Sequence, residues 1–371
     1  MRVLITGGAG FIGSHLVDRF LKEGFQVRIL DSLDPKIHPH GRPSYVPTDV
    51  EFIEGDVTDR DAVSSALQDI DIVSHQAAYQ DYMPDFSRFL NINAVGTALL
   101  YELIVEKKLR VKKIIVASSQ AVYGEGQYVC STHGVFQPQP RSQEQLSVGQ
   151  WEVSCPQCEK PAAPCLLEES YTNPYNQYAV SKLAAEKIAL GLGWLHGIPT
   201  VALRYSITQG PRQSLFNQYS GICRIFVGRA LKKEPIIIYE DGRQTRDFVH
   251  IDDVVNANMC VLQENANFQA FNVGSGQPTS VLEFANLVSA KLSSDVELTF
   301  SGEYRRGDNR HSVSSIAKLR SLGWSPKRDL STNLDDFLAW VGGIGGVPDQ
   351  TQDAYGNMKR VGVVLRAAVA S

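Results

Sequence analysis

The sequence has no long run of basic residues and little net charge. Its 36 lysines and arginines stand against 40 acidic residues, which gives a formal charge of −4 at neutral pH. Nucleic-acid-binding surfaces carry clustered basic residues, so no nucleic-acid partner is expected. The sequence also shows no apolar stretch that we expect to be long enough to span a bilayer. We therefore predict no membrane partner.

Cysteine is scarce as well, with six in 371 residues. An apolar strand begins at residue 2 and leaves no room for a signal peptide, so we expect a cytoplasmic protein. In a reducing compartment these cysteines are free thiols or metal ligands rather than disulfides. The length suits one large domain or two smaller ones.

What the sequence does contain is a nucleotide-binding pattern at its start. The apolar run Met1–Thr6 leads into three glycines with GxxGxxG spacing and a predicted helix, Phe11–Glu23. Such a turn brings a pyrophosphate onto the helix N-terminus, although three glycines alone also suit an ordinary strand-to-helix turn. The residues predicted to bind the cofactor phosphates are Gly7, Gly10, Phe11, Ile12 and Gly13.

An acidic residue ends the second predicted strand, Phe25–Leu30. Asp31 lies about 20 residues beyond the glycines, where a carboxylate accepts hydrogen bonds from a ribose 2′-hydroxyl. It would repel a 2′-phosphate, and Ser32-Leu33-Asp34 offers no arginine to bind one. The pattern therefore favours NAD over NADP.

A second chemical signal is Tyr178-Ala-Val-Ser-Lys182. Tyr178 and Lys182 are four residues apart in a segment with helical composition, so both side chains share one face. An ammonium beside a phenol and a cationic nicotinamide lowers the pKa of the tyrosine, which makes it a general base. Alone, YxxxK is often only exposed helix.

Strands alternate with helices along the first 205 residues, which predicts a Rossmann-type, doubly wound parallel sheet of the α/β class. From about residue 206 the pattern loosens into shorter mixed elements. We predict an NAD-binding domain over 1–205 that carries an inserted cysteine-rich subdomain at 125–169. A smaller mixed α/β substrate-binding region follows at 206–341, from which 247–275 returns to the first domain, and 342–371 is a linker and tail.

From Met1 to about Trp340 the chain resembles the extended short-chain dehydrogenase/reductases, and within them the nucleotide-sugar epimerases and dehydratases. The motifs that carry the resemblance are the three glycines, Asp31, Asp56-Val57, Ser119 in SSxxVYG, Tyr178 and Lys182, Arg246–His250 with Asp252-Asp253, and Arg305–Asp308.

The resemblance implies roles for these residues and a homodimer that pairs through helices next to the YxxxK segment. Asp56 and Val57 would hold the adenine, and Ser119, Tyr178 and Lys182 would form the catalytic group. Arg246 and Arg305 would bind the diphosphate of a nucleotide sugar, near Asp308. Two alternatives remain: Ser119 only caps a strand end, and Arg246 forms a salt bridge to Asp252 or Asp253.

The segment after the fourth predicted strand, 77–83, is expected to border the nicotinamide and the sugar. Ala77 and Ala78 are candidates for cofactor binding and Tyr82 for substrate binding. These residues are equally compatible with core and loop positions.

Residues 120 and 121 bear on which reaction the protein catalyses. Family dehydratases resemble one another in a Thr-Asp-Glu where this chain has Ser119-Gln120-Ala121, and neither Gln120 nor Ala121 protonates a leaving hydroxyl. The remaining reaction is epimerisation at C4 of a nucleotide-linked sugar through a 4-keto intermediate. The alternatives are a nucleotide-4-ketosugar reductase, a dehydratase, or an NAD-binding regulatory or scaffold protein without activity.

Two departures from the family concern the substrate. Ser206 stands where relatives commonly have an asparagine near the diphosphate, and Ser312 where several UDP-hexose epimerases have a tyrosine. The smaller Ser312 leaves more room around the sugar. We therefore expect a dTDP- or UDP-linked hexose or deoxyhexose, such as a rhamnose derivative.

The predicted insertion contains a CxxH and a CxxC motif. Cys130, His133, Cys155 and Cys158 have the spacing of a structural zinc site, with Cys165 as an alternative fourth ligand to His133. A small polar insertion has little core, so a metal could fold it. The alternative is a loop with incidental thiols.

Overall fold

The computed structural model describes residues 1–217, 221–293, 295–346 and 351–368. Its strands are β1 (Arg2–Thr6), β2 (Gln26–Asp31), β3 (Glu51–Glu54), β4 (Ile72–His75), β5 (Lys113–Ser119), β6 (Tyr128–Cys130), β7 (Gly134–Phe136), β8 (Ala163–Pro164), β9 (Thr200–Tyr205), β10 (Ile207–Gln209), β11 (Ile236–Ile238), β12 (Thr245–Arg246), β13 (Phe248–His250), β14 (Gln269–Val273), β15 (Thr279–Ser280), β16 (Leu298–Phe300), β17 (Glu303–Arg305), β18 (His311–Ser312) and β19 (Val364–Arg366). Its α-helices are α1 (Phe11–Lys22), α2 (Arg60–Ala66), α3 (Phe86–Phe89), α4 (Gly96–Glu106), α5 (Gln143–Ser147), α6 (Gln177–Leu195), α7 (Ile222–Leu231), α8 (Ile251–Cys260), α9 (Val281–Lys291), α10 (Ala317–Arg320), α11 (Leu330–Gly343) and α12 (Thr351–Arg360).

A seven-stranded parallel sheet forms the centre of the protein, with the order β14-β9-β5-β4-β1-β2-β3. Strands β5 and β9 are buried along their whole length, as strands covered by helices on both faces are. The predicted doubly wound α/β fold is therefore confirmed.

Helices cover both faces of this sheet. On one face, Leu16, Val17 and Phe20 of α1 pack with Val254 and Val255 of α8. On the other face α2, α4 and α6 form a second apolar core. Helix α8 and strand β14, both within 247–275, thus lie with the sheet, although the domain boundaries themselves stay a prediction.

The segments after β9 form small sheets and a third apolar core. Strand β10 pairs with β13, β11 pairs with β16, and β12 lies between β15 and β18. Helices α7, α9 and α11 pack around these pairs through Phe226, Phe284 and Phe337. This smaller part stands at the carboxyl end of the parallel sheet, where ligands bind in open α/β folds.

The insertion leaves the sheet after β5 and returns just before α6. It contains a three-stranded antiparallel sheet with the order β7-β6-β8, and helix α5. Its two ends meet, because Asn173 N–H donates to Val122 O over 2.9 Å. At this neck Gly124 has a positive φ, and a Cβ there would lie 2.0 Å from Asn173 O.

One helical stretch departs from the expectation about apolar length. By length and composition, the helix Phe86–Glu106 is long and apolar enough to cross a membrane. It comprises α3, a π-helical segment at Leu90–Val95, and α4. Half of its apolar window is buried inside the protein. Leu100, Leu103 and Ile104 belong to the core beside α6, as in the core helix of a globular domain.

The described residues of the predicted linker and tail include regular secondary structure that the sequence did not predict. Helix α11 continues through Gly342 and Gly343, because Leu334, Phe337 and Val341 on the same helix are buried. Beyond it, β19 pairs antiparallel with β17 of the same chain. Residues 347–350 of the predicted linker and 369–371 of the predicted tail lie outside the described residues.

Candidate active site

A cavity of about 1230 Å³ opens at the carboxyl end of the parallel sheet. All residues predicted to bind cofactor or substrate line it: Gly7, Gly10, Phe11, Ile12, Gly13, Asp31, Asp56, Val57, Ala77, Ala78, Tyr82, Ser119, Tyr178, Lys182, Arg246, Arg305 and Asp308. The fold thus brings residues up to about 300 positions apart in the sequence to one cavity, as parallel strands do at their carboxyl ends.

The glycine turn between β1 and α1 is too tight for side chains. Gly7 has a φ of +69°, and a Cβ at Gly13 would lie 2.0 Å from the carbonyl oxygen of Gly7. The N-cap of α1 is Gly10, which has no side chain to occupy the free amides of the first turn. The turn is therefore an open anion cradle that fits the pyrophosphate of NAD.

Asp31 is held at the end of β2 by two backbone amides. Its Oδ2 accepts from Ala9 N–H and its Oδ1 from Leu33 N–H, both over 2.9 Å. The carboxylate is buried, lines the cavity and retains lone pairs for a ribose hydroxyl. Asp56 is fixed similarly, since its Oδ1 accepts from the amide and hydroxyl of Thr58.

The middle of helix α6 is bonded to the sheet through a buried carboxylate, Glu186. Glu186 accepts from the Ser118 hydroxyl on β5 and forms a bidentate pair with Arg204 on β9. A buried pair of this kind fixes orientation because each partner left alone would be an uncompensated charge. Tyr178 and Lys182 on the same helix are thereby held toward Ser119 at the end of β5.

Burial dominates the pKa values of Tyr178 and Lys182 in the protein without cofactor. It raises the pKa of Tyr178 above its ordinary value, while a hydrogen bond with Ser119 opposes the rise. It lowers the pKa of Lys182 to about 8, although Glu186 opposes this shift. The lowering of the Tyr178 pKa was expected beside both Lys182 and a bound nicotinamide, so it stays a prediction.

Ser119 has two hydrogen-bonding roles. Its Oγ accepts from Ala121 N–H and caps the short 3₁₀ helix Gln120–Tyr123, as the alternative reading predicted. The Ser119 side chain also interacts with Tyr178 and lowers its pKa against the effect of burial. The cap therefore leaves Ser119 beside Tyr178, as the predicted catalytic group requires.

The two predicted diphosphate-binding arginines are held differently. Arg246 donates to the carbonyl oxygens of Thr245, Asn309 and Arg310 and not to the acids proposed as its alternative partners. Asp252 pairs instead with Arg328.

Arg305 packs its guanidinium between two aromatic rings. The distance from its Cζ to the ring centroid is 4.7 Å for Tyr82 and 5.4 Å for Tyr239, and Nη1–H donates to Tyr82 Oη over 3.0 Å. Asp308 lies 3.9 Å from the same guanidinium. Among the described residues its Nε has no hydrogen-bond partner, which leaves a donor for an anionic ligand.

The departures at positions 206 and 312 have structural partners. Ser206 Oγ donates to Asp247 Oδ2 and is hydrogen bonded to Ser314 Oγ, and Ser206 lines the cavity. Ser312 Oγ donates to Gln120 Oε1 over 3.0 Å. Gln120 therefore lines the cavity with a fixed amide where the dehydratases have an acid.

Four of the five predicted metal ligands form one cluster in the insertion. The ligand atoms of Cys130, His133, Cys155 and Cys158 all lie within 4.8 Å of one another. Cys130 Sγ is 3.7 Å from Cys158 Sγ and 3.6 Å from His133 Nδ1, and Cys155 Sγ is 3.4 Å from His133 Nδ1. Tetrahedral zinc gives separations of about 3.8 Å between two sulfurs and about 3.6 Å between sulfur and nitrogen.

Cys165 lies outside this cluster, so the structure corrects its candidacy as a ligand. Strand β8 pairs antiparallel with β6, in the register Tyr128↔Pro164 and Val129↔Ala163. The amide of Cys165 then donates to Gln127 O. This places Cys165 at the opposite end of β6 from Cys130.

Sequence reasoning missed a network of buried charges that joins the insertion to the substrate-binding part. Arg141 in the insertion forms a bidentate pair with Glu240 and lies 3.7 Å from Glu125. Arg310, fully buried, also pairs with Glu240 and with Glu152. Arg141 and Glu125 line the cavity, so the insertion forms one of its walls.

A sequence model described as the NAD dependent epimerase/dehydratase family matches residues 3–143 and 154–274. The chain belongs to this family. The unmatched residues 144–153 fall within the insertion.

Relatives extend over nearly the whole chain. A dTDP-L-rhamnose 4-epimerase from Burkholderia thailandensis is 34% identical over 348 residues, which cover 92% of this chain and 94% of the relative. A putative UDP-glucose 4-epimerase from Methanocaldococcus jannaschii is 31% identical, with coverages of 91% and 98%.

Solved structures agree in fold. A UDP-glucose 4-epimerase from Thermotoga maritima, solved with UDP-glucose, has a TM-score of 0.74 at 27% identity and covers 93% of this chain and 99% of its own. A UDP-glucuronic acid 4-epimerase from Bacillus cereus, in complex with UDP-glucuronic acid and NAD, has a TM-score of 0.74 at 25% identity, with coverages of 93% and 100%.

Asp31→Ser is expected to weaken NAD binding by roughly tenfold to hundredfold, because the ribose loses a charged hydrogen-bond acceptor. Discrimination against NADP should fall at the same time. Titration calorimetry with both dinucleotides measures the two effects. Asp49→Ser removes an exposed acid outside the cavity and is the control. If the unmodified protein bound NADP more tightly than NAD, the role of Asp31 would be wrong.

Proposed function

We propose that Tyr178, Ser119 and Lys182 catalyse the C4 epimerisation of a nucleotide-linked sugar in this protein, with NAD held on the glycine turn. The predicted reaction class, an NAD-dependent nucleotide-sugar 4-epimerase, is confirmed by the names of the relatives. The observation that carries the residue roles is the single cavity, which contains the glycine turn, the tyrosine and both arginines.

When bound, NAD supplies the acceptor, and later the donor, of the hydride at C4. Tyr178 accepts the proton of the sugar O4 as the C4–H hydride leaves, which yields a 4-keto sugar. Ser119 holds the oxygen, and Lys182 stabilises the phenolate by its charge. After the 4-keto sugar turns over, Tyr178 gives its proton back to O4. NAD held by Gly7, Gly10, Gly13 and Asp31 would supply the returning hydride to the opposite face of C4, so none would be consumed.

A dTDP- or UDP-linked deoxyhexose is the substrate that we propose. Gln120 and Ala121 supply no acid for elimination, and Ser312 leaves space beside the sugar while it fixes the amide of Gln120. The relative from Burkholderia thailandensis is named for a sugar of this kind. Incubation with a panel of nucleotide sugars, followed by NMR detection of C4 inversion, tests the assignment. A 4-ketosugar reductase would instead consume reduced cofactor, and a scaffold protein would convert none of them.

Tyr178→Phe is expected to lower kcat by roughly 10²–10⁴-fold, because the general base is lost, while NAD binding is retained. Tyr171→Phe removes a phenolic hydroxyl outside the cavity and should leave kcat near that of the unmodified protein. In the unmodified protein, kcat should fall as the pH drops below the pKa of the base, since a protonated phenol accepts no proton. Near-normal turnover by Tyr178→Phe would show that another group is the base.

We further propose that Cys130, His133, Cys155 and Cys158 hold one structural zinc ion. The separations between their ligand atoms fit a tetrahedral shell. Four protein ligands leave no position for water or substrate, so the metal would stabilise the insertion and take no part in the chemistry. Through Arg141 and Glu125 the folded insertion then supports the cavity wall.

Protein purified without chelator should contain one zinc per chain by elemental analysis. Cys155→Ser should lower this content because it removes one ligand, whereas Cys165→Ser should not, since Cys165 lies outside the cluster. Zinc below about a tenth of an equivalent, with freely reactive thiols, would mean that these are incidental cysteines.

A homodimer is the assembly that we propose. Helix Phe86–Glu106 and α6 lie side by side, and both expose apolar side chains: Phe86, Leu90 and Val95 on the first, and Val180, Trp194 and Leu195 on the second. Such a patch marks a protein interface. Cytoplasmic location and the lack of nucleic-acid or membrane partners stay predictions.

Val95→Asp is expected to shift the protein from dimer to monomer in light scattering, because it buries a carboxylate in the apolar patch. Val148→Asp places the same charge on an exposed valine of the insertion and should leave the dimer intact. A monomer in the unmodified protein at micromolar concentration would contradict the proposal.

A further inference from the structure

The C-terminal segment, residues 355–368, runs alongside the strand that carries Arg305. Strand β19 pairs antiparallel with β17, with Val364 opposite Arg305. Next to this pair, Arg306 N–H donates to Val363 O over 3.0 Å. The segment is thus bonded directly to one of the two predicted diphosphate-binding elements.

Contacts within this chain hold both ends of the segment. At one end Tyr355 Oη donates to the buried carboxylate of Glu303, at 2.7 and 2.6 Å from its two oxygens, and Lys359 pairs with the same group. At the other end Ala368 N–H donates to Ser147 O in the insertion, and Ala367 packs on Leu146. The segment is therefore positioned without help from any ligand.

Between these ends the segment faces the cavity. Tyr355, Asn357, Met358, Val361, Gly362 and Val363 all line it. This surface is mainly apolar, with one amide side chain, and it adjoins Arg305 and the Tyr239 ring.

The proposed function places the hexose of the substrate at Tyr178 and its diphosphate at Arg246 and Arg305. The nucleoside of the substrate then extends beyond the two arginines. The C-terminal segment, which adjoins Arg305, is one wall of the cavity at that end. A pyrimidine nucleoside has flat apolar faces and a polar edge, which match apolar side chains and an amide. We propose that the side of this segment that lines the cavity contacts the nucleoside of the substrate and helps to select the nucleotide; this inference rests on the proposed function. The residues on that side are Tyr355, Asn357, Met358, Val361, Gly362 and Val363, and Gly356 is not among them.

Hydrogen–deuterium exchange on the unmodified protein tests the contact. Addition of dTDP or UDP should slow amide exchange within 355–363, whereas NAD alone should not. Titration calorimetry on the same sample measures whether the nucleotide binds. Binding without slower exchange in this segment would overturn the inference and leave the proposed function standing. If neither nucleotide bound, the proposed function and this inference would both fall.

Two variants with the same added charge measure the energetic consequence. Val361→Glu places a carboxylate on the cavity wall near the diphosphate, so KM for the nucleotide sugar should rise roughly tenfold or more, with NAD affinity unchanged. Gly356→Glu adds the same charge on exposed helix α12, where a side chain meets no neighbour, and should leave KM unchanged. Equal KM values for the two variants would refute the inference.

Val361→Ala is a milder variant that covers the case in which the glutamate disturbs folding. It removes only part of an apolar side chain, so it should change the ratio of kcat/KM between dTDP- and UDP-linked forms of one sugar by roughly twofold or more. An unchanged ratio would exclude a role of Val361 in nucleotide choice.

Discussion

The buried charge network around Arg310 and Glu240 is the constraint on which the shape of the site depends. Arg310 is fully buried, and desolvating a guanidinium is tolerated only if carboxylates and hydrogen bonds surround it. Those carboxylates come from two separate parts of the chain: Glu152 in the insertion, and the adjacent Glu240 and Asp241 after β11. Arg141 in the insertion pairs with the same Glu240 as Arg310 does. The insertion and the segment after β11 are therefore fixed relative to each other.

The cavity is consequently built from two kinds of support. The cofactor end depends on backbone geometry, since the glycine turn and the end of β2 leave no freedom to Gly7, Gly13 or Asp31. The substrate end depends on side-chain charges, rings and a strand pair, with Arg305 stacked between tyrosines and bonded to the C-terminal segment through β17. A backbone-built site tolerates few substitutions, whereas a wall of side chains varies readily between relatives with different substrates.

The features that the structure places where the sequence predicted them are those with local signals, and the roles of the site residues stay predictions. The glycine spacing, the acid after the second strand, the alternation of strands and helices and the pair four residues apart each depend on nearby residues only. The cysteine cluster was predictable for the same reason, except for Cys165, whose position is set by the register of β8 on β6. The fold class and the reaction class are confirmed.

What the sequence alone did not reveal depends on distant contacts. No local pattern pairs Arg141 with Glu240, and none shows that β19 lies beside β17. Gly342 and Gly343 suggested a linker, but packing of the apolar face of α11 keeps them helical against their low intrinsic propensity. The fall expected for the pKa of Tyr178 depends on a bound nicotinamide; in the protein without it, burial, which composition does not reveal, raises this pKa.

The neck of the insertion, closed by the hydrogen bond between Asn173 and Val122, has an evolutionary consequence. Because both ends of the insertion meet at one point, its length can change without shifting β5 before it or α6 after it. Ser119 and Tyr178 lie on β5 and α6, outside the insertion. A different insertion must still supply the charges that Glu152 and Arg141 bring to Arg310 and Glu240, but within that limit it can reshape the cavity wall, and with it substrate preference, while the reacting groups stay the same.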